Sequence, residues 1–187
     1  MCIRDRKNLI LTPSGLQIGN KVLPCVIGKN GVSKLKREGD GKTPVGDHQL
    51  VGMLYRPDRI PRPRKWALPI RPRDIWSDDQ TDPDYNLMGS YPSKYRYERL
   101  FRPDDIYDLI ILTNWNWPYP VKGRGSAIFI HKWRRNGFPT EGCIALSKEN
   151  LLRVAKFVDF GSQLIVPKAL HDHQKWPIRR AHGSPRN

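Results

Sequence analysis

The sequence predicts one domain that is mainly β, with a few helices and a long irregular insertion. Three observations lead to this prediction. Short apolar runs bounded by turn residues, which are typical of strands, occupy both the beginning and the later part of the chain. One longer segment near the C-terminal end has the apolar spacing of an amphipathic helix. A proline-rich stretch separates the two groups of strands.

The strand candidates are short and lie next to turn signals. Leu9 to Thr12 runs into Pro13-Ser14-Gly15, and Asp40 to Gly46 is a turn-rich loop in front of another apolar run. The predicted strands are residues 9–12, 16–18, 21–28, 48–54, 107–113, 127–131 and 163–166.

The segment over residues 56–100 is rich in proline and in polar aromatic side chains. This composition predicts a long irregular excursion from the domain. Excursions of this length inside a compact domain are uncommon and often serve as lids or binding loops. We therefore expect a functional role for this segment.

The helix is predicted to begin after Ser147, whose hydroxyl can cap the first turn. Leu151, Val154, Ala155 and Val158 supply its apolar face. This segment is the main helical contribution to the predicted fold.

We divide the chain of 187 residues into three parts. Residues 1–8 are interpreted as a leader, because their first six positions match no element that follows, as at a truncation junction or a sequence artefact. Residues 9–167 form the predicted domain, and residues 168–187 form a basic C-terminal tail. No run approaches the roughly 20 apolar residues of a membrane helix, and none at the N-terminus is long enough for a secretory signal.

The formal charge of +15 implies attraction to something acidic, such as a nucleic acid, an anionic surface or an acidic polymer. Part of the charge lies between Arg56 and Asp74, where seven Arg or Lys residues occur with five prolines, and part lies in the tail. A solvated surface explains the same pattern. No zinc finger or RNP motif is present, so we expect no nucleic-acid partner.

The three cysteines do not suggest a disulfide framework, for which a short secreted chain typically has an even number. Cys2 lies in the leader. Cys25 lies in an apolar run and is interpreted as a core residue. Only Cys143, which follows a glycine at the end of a loop, has a context that indicates chemistry.

Cys143 follows His131 by twelve positions, and this arrangement suits nucleophilic catalysis. His131 ends an apolar strand, so its ring can project at the rim of a sheet. A thiol reacts as the thiolate, and a neighbouring imidazole can take its proton and later protonate a leaving amine. Gly142 removes side-chain bulk, so that its N–H and that of Cys143 can face an oxyanion.

A structural role for both residues is the alternative, because a lone cysteine and a lone histidine are each more often structural. A metal site would need more ligands at suitable spacing. His171, His173 and His182 lie in the tail and could contribute only if the tail folded back. We therefore predict no metal site.

Three segments resemble the L,D-transpeptidase catalytic domain family, the YkuD type, and occur in the family's order. Gly41–Gly46 is similar to a Thr-Pro-x-Gly turn before a strand, and Ala127–His131 is similar to the strand that carries the histidine. Thr140–Ile144 resembles the most specific motif, Ser/Thr-x-Gly-Cys. The resemblance covers roughly residues 9–167 and implies a YkuD-type mixed β-sandwich or barrel.

The resemblance implies roles for individual residues. Cys143 takes the place of the nucleophile and His131 that of the base, which the family orients through the backbone carbonyl of the next residue, here Lys132. Gly142 and Cys143 would supply the oxyanion N–H groups. Thr140 matches a hydroxyl that holds the loop.

Substrate contacts are matched less closely. The family often has an aromatic hydroxyl upstream of the histidine, for which Tyr119 is the candidate in competition with Trp115 and Trp117. Arg134 and Arg135 are candidates for binding substrate carboxylates through bidentate contacts, with simple solvation as the alternative.

The chain departs from the family pattern at three positions. Lys132 stands where the family usually has Gly or Ser, Glu141 where it frequently has His, and Ala145 where it commonly has Arg or Asn. These departures bear on substrate recognition more than on the nucleophile.

The resemblance implies two-step acyl transfer on peptidoglycan stem peptides. Cys143 would attack a tetrapeptide stem, release D-alanine and hold the acyl group as a thioester. An amine of a second stem would collect it in a 3→3 cross-link, or a cell-wall-anchored protein would be attached. No metal or organic cofactor is implied, and no membrane span. Carbapenems, which acylate the family, are expected to acylate this thiol.

Two alternatives stay open. One is an L,D-carboxypeptidase or related hydrolase of the same fold, with water as the acceptor. The other is a non-catalytic binding module for an acidic polymer, with the basic segments as its working surface. The family implies the periplasm or the cell wall, and because this chain shows no secretory signal, the cytoplasm is the alternative.

Overall fold

The computed structural model describes residues 7–172 of the chain. This range contains fifteen strands and two helices, which confirms the predicted class of mainly β with a few helices. The strands are β1 (Leu9–Thr12), β2 (Gly15–Ile18), β3 (Lys21–Leu23), β4 (Cys25–Val26), β5 (Val32–Ser33), β6 (Thr43–Pro44), β7 (Gly46–Tyr55), β8 (Leu68–Pro69), β9 (Asp74–Ser77), β10 (Met88–Ser90), β11 (Tyr97–Arg99), β12 (Leu109–Thr113), β13 (Phe129–Lys132), β14 (Ile144–Leu146) and β15 (Gln163–Val166). The helices are α1 (Lys148–Phe157) and α2 (Ala169–Asp172).

The largest sheet is mixed and curves almost into a barrel. Its strands follow the order β3-β2-β1-β15-β7-β12-β13-β14-β4, with β8 beside β7. The two end strands, β3 and β4, are separated in the chain by Pro24 alone, and β2 contacts β4. The sheet therefore curves until its ends approach each other, which agrees with the sandwich or barrel that the resemblance implied.

The predicted strand over residues 21–28 is interrupted at Pro24, because proline has no N–H to donate to a ladder. The residues before it pair with β2, whereas Cys25 and Val26 pair with β14 at the other end of the sheet. The prediction of a single strand over residues 21–28 is therefore wrong. Cys25 packs against the main core, as predicted.

The excursion over residues 56–100 is an insertion between β7 and β12 and is less irregular than predicted. It contains a small antiparallel sheet in which β9 lies between β10 and β11. Asn86, which is fully buried, joins the insertion to the loop after β12. Its side chain accepts a hydrogen bond from Trp76 Nε1 at 3.0 Å and donates to the carbonyl oxygens of Trp115 and Asn116 at 3.3 and 2.7 Å.

Helix α1 begins where the sequence predicted. Ser147 has extended backbone, and its Oγ accepts a hydrogen bond from the N–H of Asn150 at 3.2 Å. This bond satisfies one of the backbone donors that a helix start leaves without a partner. Leu151 and Val154 are buried, and the helix contacts β12, β13 and β14.

Two clusters of buried apolar side chains hold the domain together. Ile110 and Ile111 are neighbours on β12 but belong to different clusters, because successive side chains of a strand point to opposite faces. The larger cluster includes the buried residues of α1. The smaller cluster joins the sheet to the insertion and consists of Leu54, Ile70, Trp76, Leu100, Tyr107, Ile110 and Phe129. Cys143 packs against this smaller cluster.

The packed domain extends slightly beyond both predicted boundaries. Asn8 accepts a hydrogen bond from the N–H of Gln163 at 3.1 Å, and Lys7 Nζ lies 3.4 Å from the Asp159 carboxylate. Leu170 in α2 is buried in the larger cluster. These contacts place residues 7, 8 and 170 in the domain, and the rest of the predicted leader lies outside the described residues, as does the tail beyond α2.

Neither helix in the described range has the length and apolar character needed to cross a membrane. Within residues 7–172, no three His, Cys, Asp or Glu side chains are grouped so that they could hold a metal ion. His173 and His182 lie outside that range.

Candidate active site

Two adjacent parallel strands position His131 and Cys143: His131 lies in β13, and Cys143 directly precedes β14. His131 on β13 pairs with Ala145 on β14. Cys143, two residues before Ala145, therefore stands beside Phe129, two residues before His131, and the N–H of Phe129 donates to its Sγ at 3.3 Å. Because side chains alternate along a strand, Cys143 and His131 lie on the same face.

The loop in front of Cys143 is held by Thr140. Its hydroxyl donates to the carbonyl oxygen of Cys143 at 2.5 Å and accepts the N–H of Gly142 at 3.1 Å. One side chain thus fixes the backbone on both sides of Gly142. This geometry places Thr140 where a loop-holding residue was expected.

Gly142 allows the loop to approach the turn over residues 41–46. Its φ is +147°, and a Cβ would lie 2.8 Å from the carbonyl oxygen of Lys42. On the same turn, Thr43 donates its hydroxyl to the Gly142 carbonyl at 2.7 Å and accepts the N–H of Gly28 at 3.0 Å. The Thr-Pro-x-Gly and Thr-x-Gly-Cys segments are therefore one hydrogen-bonded unit.

The N–H of Gly142 is already occupied in this structure, because it donates to Thr140. The prediction that it faces an oxyanion is therefore wrong for this arrangement, and the contribution of Gly142 is conformational. The N–H of Cys143 has no acceptor among residues 7–172 and is the backbone donor that remains for an oxyanion.

His131 is held by the backbone carbonyl of Lys132, the contact that the resemblance implied. The distance from Nδ1 to that oxygen is 2.7 Å. A carbonyl oxygen can only accept, so Nδ1 carries the proton and a neutral ring leaves Nε2 unprotonated. Nε2 is therefore the nitrogen that can take a proton from a thiol.

Burial raises the pKa of the Cys143 thiol to about 12. The hydrogen bond from Phe129 lowers this pKa, the negative charge of Glu98 raises it, and the positive charge of Lys36 lowers it. Sγ also lies 3.7 Å from the carbonyl oxygen of Ala127, to which the thiol donates. At neutral pH Cys143 is a thiol.

Burial lowers the pKa of His131 to about 4. The hydrogen bond to Lys132 opposes this shift, and the positive charge of Arg102 adds to it. The imidazole is therefore neutral at pH 7. Because both partners rest uncharged, the proton must move during attack on a substrate rather than before it.

The three departures from the family pattern each have local partners. Lys132 Nζ lies 2.6 Å from the carboxylate of Asp105, and the exposed Glu141 accepts a hydrogen bond from Lys29 at 2.8 Å. Ala145 is fully buried, so a longer side chain there would displace packed neighbours. Each of the three positions at which the chain departs from the family pattern is thus in contact with other parts of the domain.

Of the predicted substrate-binding residues, Tyr119, Arg134 and Arg135 are exposed, whereas Thr140 is half-buried. The guanidinium groups of Arg134 and Arg135 lie 5.4 and 5.0 Å from the centroid of the Phe138 ring, in the loop between the two candidate catalytic residues. Tyr119 is 89% exposed. A side chain that exposed contacts almost nothing, so the structure does not bring Tyr119 against His131.

Tyr107, which was not predicted as a site residue, packs against His131. The two ring centroids are 5.3 Å apart, with an interplanar angle of 80°. The Tyr107 hydroxyl donates to Glu98 at 2.7 Å, and Arg102 lies with its guanidinium carbon 5.3 Å from the Tyr107 ring centroid. Glu98 lies in the excursion over residues 56–100. The prediction that this excursion is a lid or binding loop was therefore the sequence signal that could have pointed to the contact.

Many arginines of the stretch from Arg56 to Asp74 are bound within the domain. Arg56 is buried and bonds to Asp58 at 2.8 and 2.7 Å, and Arg59 bonds to Asp108 at 2.9 Å. Others whose side chains hydrogen-bond to the domain are Arg62, Arg64 and Arg73. Arg56 and Arg59 are thus paired with carboxylates of the domain, whereas Arg62, Arg71 and Arg73 are exposed.

The fold and the site define a β-sheet domain with a cysteine and a histidine on one face of adjacent strands. A model of the L,D-transpeptidase catalytic domain family, YkuD, matches residues 5–166, and the chain belongs to this family. The match begins inside the segment interpreted as a leader.

Comparison with individual proteins adds little to the family match. No curated protein matches the chain. Among solved structures, an L,D-transpeptidase from Mycobacterium smegmatis is similar at 15% sequence identity and a TM-score of 0.39, over 84% of this chain and 57% of that one. The chain thus spans little more than half the length of that protein structure.

Proposed function

We propose that this chain is an L,D-transpeptidase that acts on tetrapeptide stems of peptidoglycan, with Cys143 as nucleophile and His131 as general base. The observation that carries the proposal is the register of β13 and β14, which puts both side chains on one face inside a domain of this family. The family acts on peptidoglycan, so stem peptides are the proposed partners.

In the first step Sγ of Cys143 attacks the carbonyl carbon of the third stem residue while Nε2 of His131 takes the thiol proton. The N–H of Cys143 donates to the oxyanion. The amide bond then breaks, His131 returns the proton to the leaving nitrogen, and D-alanine departs. The acyl group remains on Cys143 as a thioester.

In the second step an amine attacks the thioester. The side-chain amine of a second stem, typically on diaminopimelate, gives a 3→3 cross-link, and a cell-wall-anchored protein would be attached by the same chemistry. Arg134 and Arg135 are the proposed contacts for stem carboxylates. The periplasm or the cell wall, which is typical of the family, is the proposed compartment.

Incubation with a tetrapeptide stem tests the proposal. We expect release of D-alanine and, at short times, a peptidyl adduct on Cys143 that mass spectrometry detects. Cys143→Ala should show neither. A reduced wild-type chain that releases no D-alanine and forms no adduct would contradict the proposal. Adding an amine acceptor separates the two enzymatic readings, because a transpeptidase makes dimers and an L,D-carboxypeptidase makes only the shortened stem.

A further inference from the structure

The segment over residues 33–42, which we call the basic loop, carries a cavity that neither Cys143 nor His131 lines. The volume of this cavity is about 650 Å³, whereas pockets for small ligands typically enclose about 300–1,000 Å³. Its walls are formed by Ser33, Lys34, Leu35, Arg37, Asp40 and Lys42 of the basic loop, together with His171 of α2. Three lysine or arginine residues and one carboxylate thus share the cavity.

The carboxylate in the cavity, that of Asp40, is already neutralised within the basic loop. It accepts a hydrogen bond from Lys36 Nζ at 2.6 Å, and the backbone N–H groups of Arg37 and Lys42 donate to it at 2.8 and 2.9 Å. The side chain of Lys36 is only 4% exposed, so this ion pair lies inside the loop. Asp40 therefore does not compensate the charges of the arginine and lysine side chains around it.

Arg37 and Lys42 are the cationic groups that this arrangement leaves for a ligand. Within residues 7–172, neither side chain has a hydrogen bond or an ion pair. Uncompensated cations on one concave surface attract an anion, and a guanidinium group can bind a carboxylate through two parallel hydrogen bonds. Leu35, which is 81% exposed, adds an apolar wall. The cavity therefore suits a carboxylate that is attached to an aliphatic chain.

The basic loop also contacts both segments of the chain that flank the candidate nucleophile. Glu38 accepts the N–H of Ser126 at 2.8 Å, and the residue after Ser126 provides the carbonyl to which the Cys143 thiol donates. On the other side, the carbonyl oxygen of Lys42 lies where Gly142 has room only because it lacks a Cβ, which would lie 2.8 Å from that oxygen. The cavity is thus carried by a loop that packs against the candidate active site.

We infer that this cavity binds a carboxylate of the peptidoglycan stem, with Arg37 and Lys42 as its cationic contacts. This inference rests on the proposed action on stem peptides, which carry several carboxylates. The contact holds the stem on a loop that is joined to both sides of the nucleophile. Arg37 and Lys42 bind substrate in this account and take no part in proton transfer.

The test measures binding in the full chain with Cys143→Ala, which forms no thioester, so that affinity is read without turnover. Calorimetric titration uses a tetrapeptide stem in two forms, one with free carboxylates and one with every carboxylate amidated. Adding Arg37→Gln or Lys42→Gln should raise the Kd for the free-acid stem about tenfold, because a charge-assisted contact is lost. The Kd for the amidated stem should change by less than about twofold.

A charge-matched control separates this contact from the general effect of the positive charge. Arg153→Gln removes one positive charge from the exposed face of α1 and should leave both Kd values unchanged. Because Arg37 and Lys42 have no side-chain partner in residues 7–172, their variants should unfold like the parent chain.

Three results would overturn the inference. The first is an unchanged Kd for the free-acid stem in both Arg37→Gln and Lys42→Gln, and the second is an equal loss of affinity for the two forms of the stem. The third is binding of heparin that requires Arg37 while stem binding does not, which would assign the cavity to an acidic polymer. A reduced wild-type chain that releases no D-alanine and forms no acyl adduct would instead refute the proposed function itself.

Discussion

At the scale of single residues, two backbone groups hold the Cys143 thiol. The N–H of Phe129 lies 3.3 Å from Sγ, and the carbonyl oxygen of Ala127 lies 3.7 Å from it. Burial keeps this thiol protonated and keeps His131 neutral. Proton transfer therefore accompanies formation of the C–S bond. From neutral to mildly acidic pH, the rate depends on how much of the imidazole is unprotonated.

The low pKa of His131 predicts an unusual pH profile for acylation by a carbapenem. With a pKa of about 4, the imidazole stays mostly neutral at pH 5, so the rate should change little between pH 7 and pH 5 and fall through about pH 4. A histidine with its ordinary pKa near 6.5 would lose about 20-fold over the first interval. Stopped-flow or mass-spectrometric rates across this range measure the difference, and a steep fall between pH 7 and 6 would contradict it.

At the scale of elements, the site depends on contacts between segments that are far apart in the chain. The turn that contains β6 meets the loop before β14 through Thr43, which is fully buried and hydrogen-bonds to Gly28 and Gly142. Thr140 then holds the same loop from its other side. The position of Cys143 is thus set by two threonine hydroxyls as well as by the pairing of β14 with β13.

Thr43→Val tests this arrangement, because valine keeps the shape and removes both hydrogen bonds. Two buried backbone groups lose their partner, so we expect the free energy of unfolding to fall by about 2–4 kcal/mol. The loop should also lose its fixed position, and acylation of Cys143 should slow about tenfold or more. Denaturant unfolding and carbapenem kinetics measure these effects. The exposed Thr81→Val is the matched control, and equal behaviour of the two variants would rule out the role given to Thr43.

The sequence predicted those features that depend on interactions between residues close together in the chain. The helix after Ser147 and the strand Leu9–Thr12 were predictable, because capping and alternation are local patterns. The division at Pro24 was not predicted, because it depends on which distant strands pair with each half. The contact of Tyr107 with His131 and its hydrogen bond to Glu98 were missed for the same reason, since they form only in the folded domain.

On the scale of the whole molecule, the insertion packs firmly against the main sheet next to the candidate active site. It shares the smaller core cluster with the main sheet, and its Glu98 accepts a hydrogen bond from the Tyr107 hydroxyl. Asn86 connects it to the loop after β12 from a fully buried position with a φ of +61°. Two arginines near the start of the insertion, Arg56 and Arg59, pair with carboxylates of the domain, so part of the positive charge is neutralised locally.

Asn86→Ala tests whether the insertion and the sheet behave as one unit. The change removes three hydrogen bonds at a backbone conformation that alanine tolerates poorly, so the free energy of unfolding should fall by about 3 kcal/mol. Asn30→Ala, which loses one exposed hydrogen bond, should cost well under half as much. Thermal and denaturant unfolding provide the comparison. If Asn86→Ala unfolds with the stability of the wild type, the insertion is not coupled to the sheet through this residue.

The most direct test of the central claim is the mass of the protein after incubation with a carbapenem under reducing conditions. We predict an increase of one drug mass in the wild type and in Cys25→Ala, because Cys25 packs against the larger core cluster, whereas Cys143 packs against the smaller one, which contains the Tyr107 ring that contacts His131. Cys143→Ala should show no increase. An adduct that persists in Cys143→Ala, or a reduced wild-type chain that gains no mass, would contradict the assignment of Cys143 as the nucleophile.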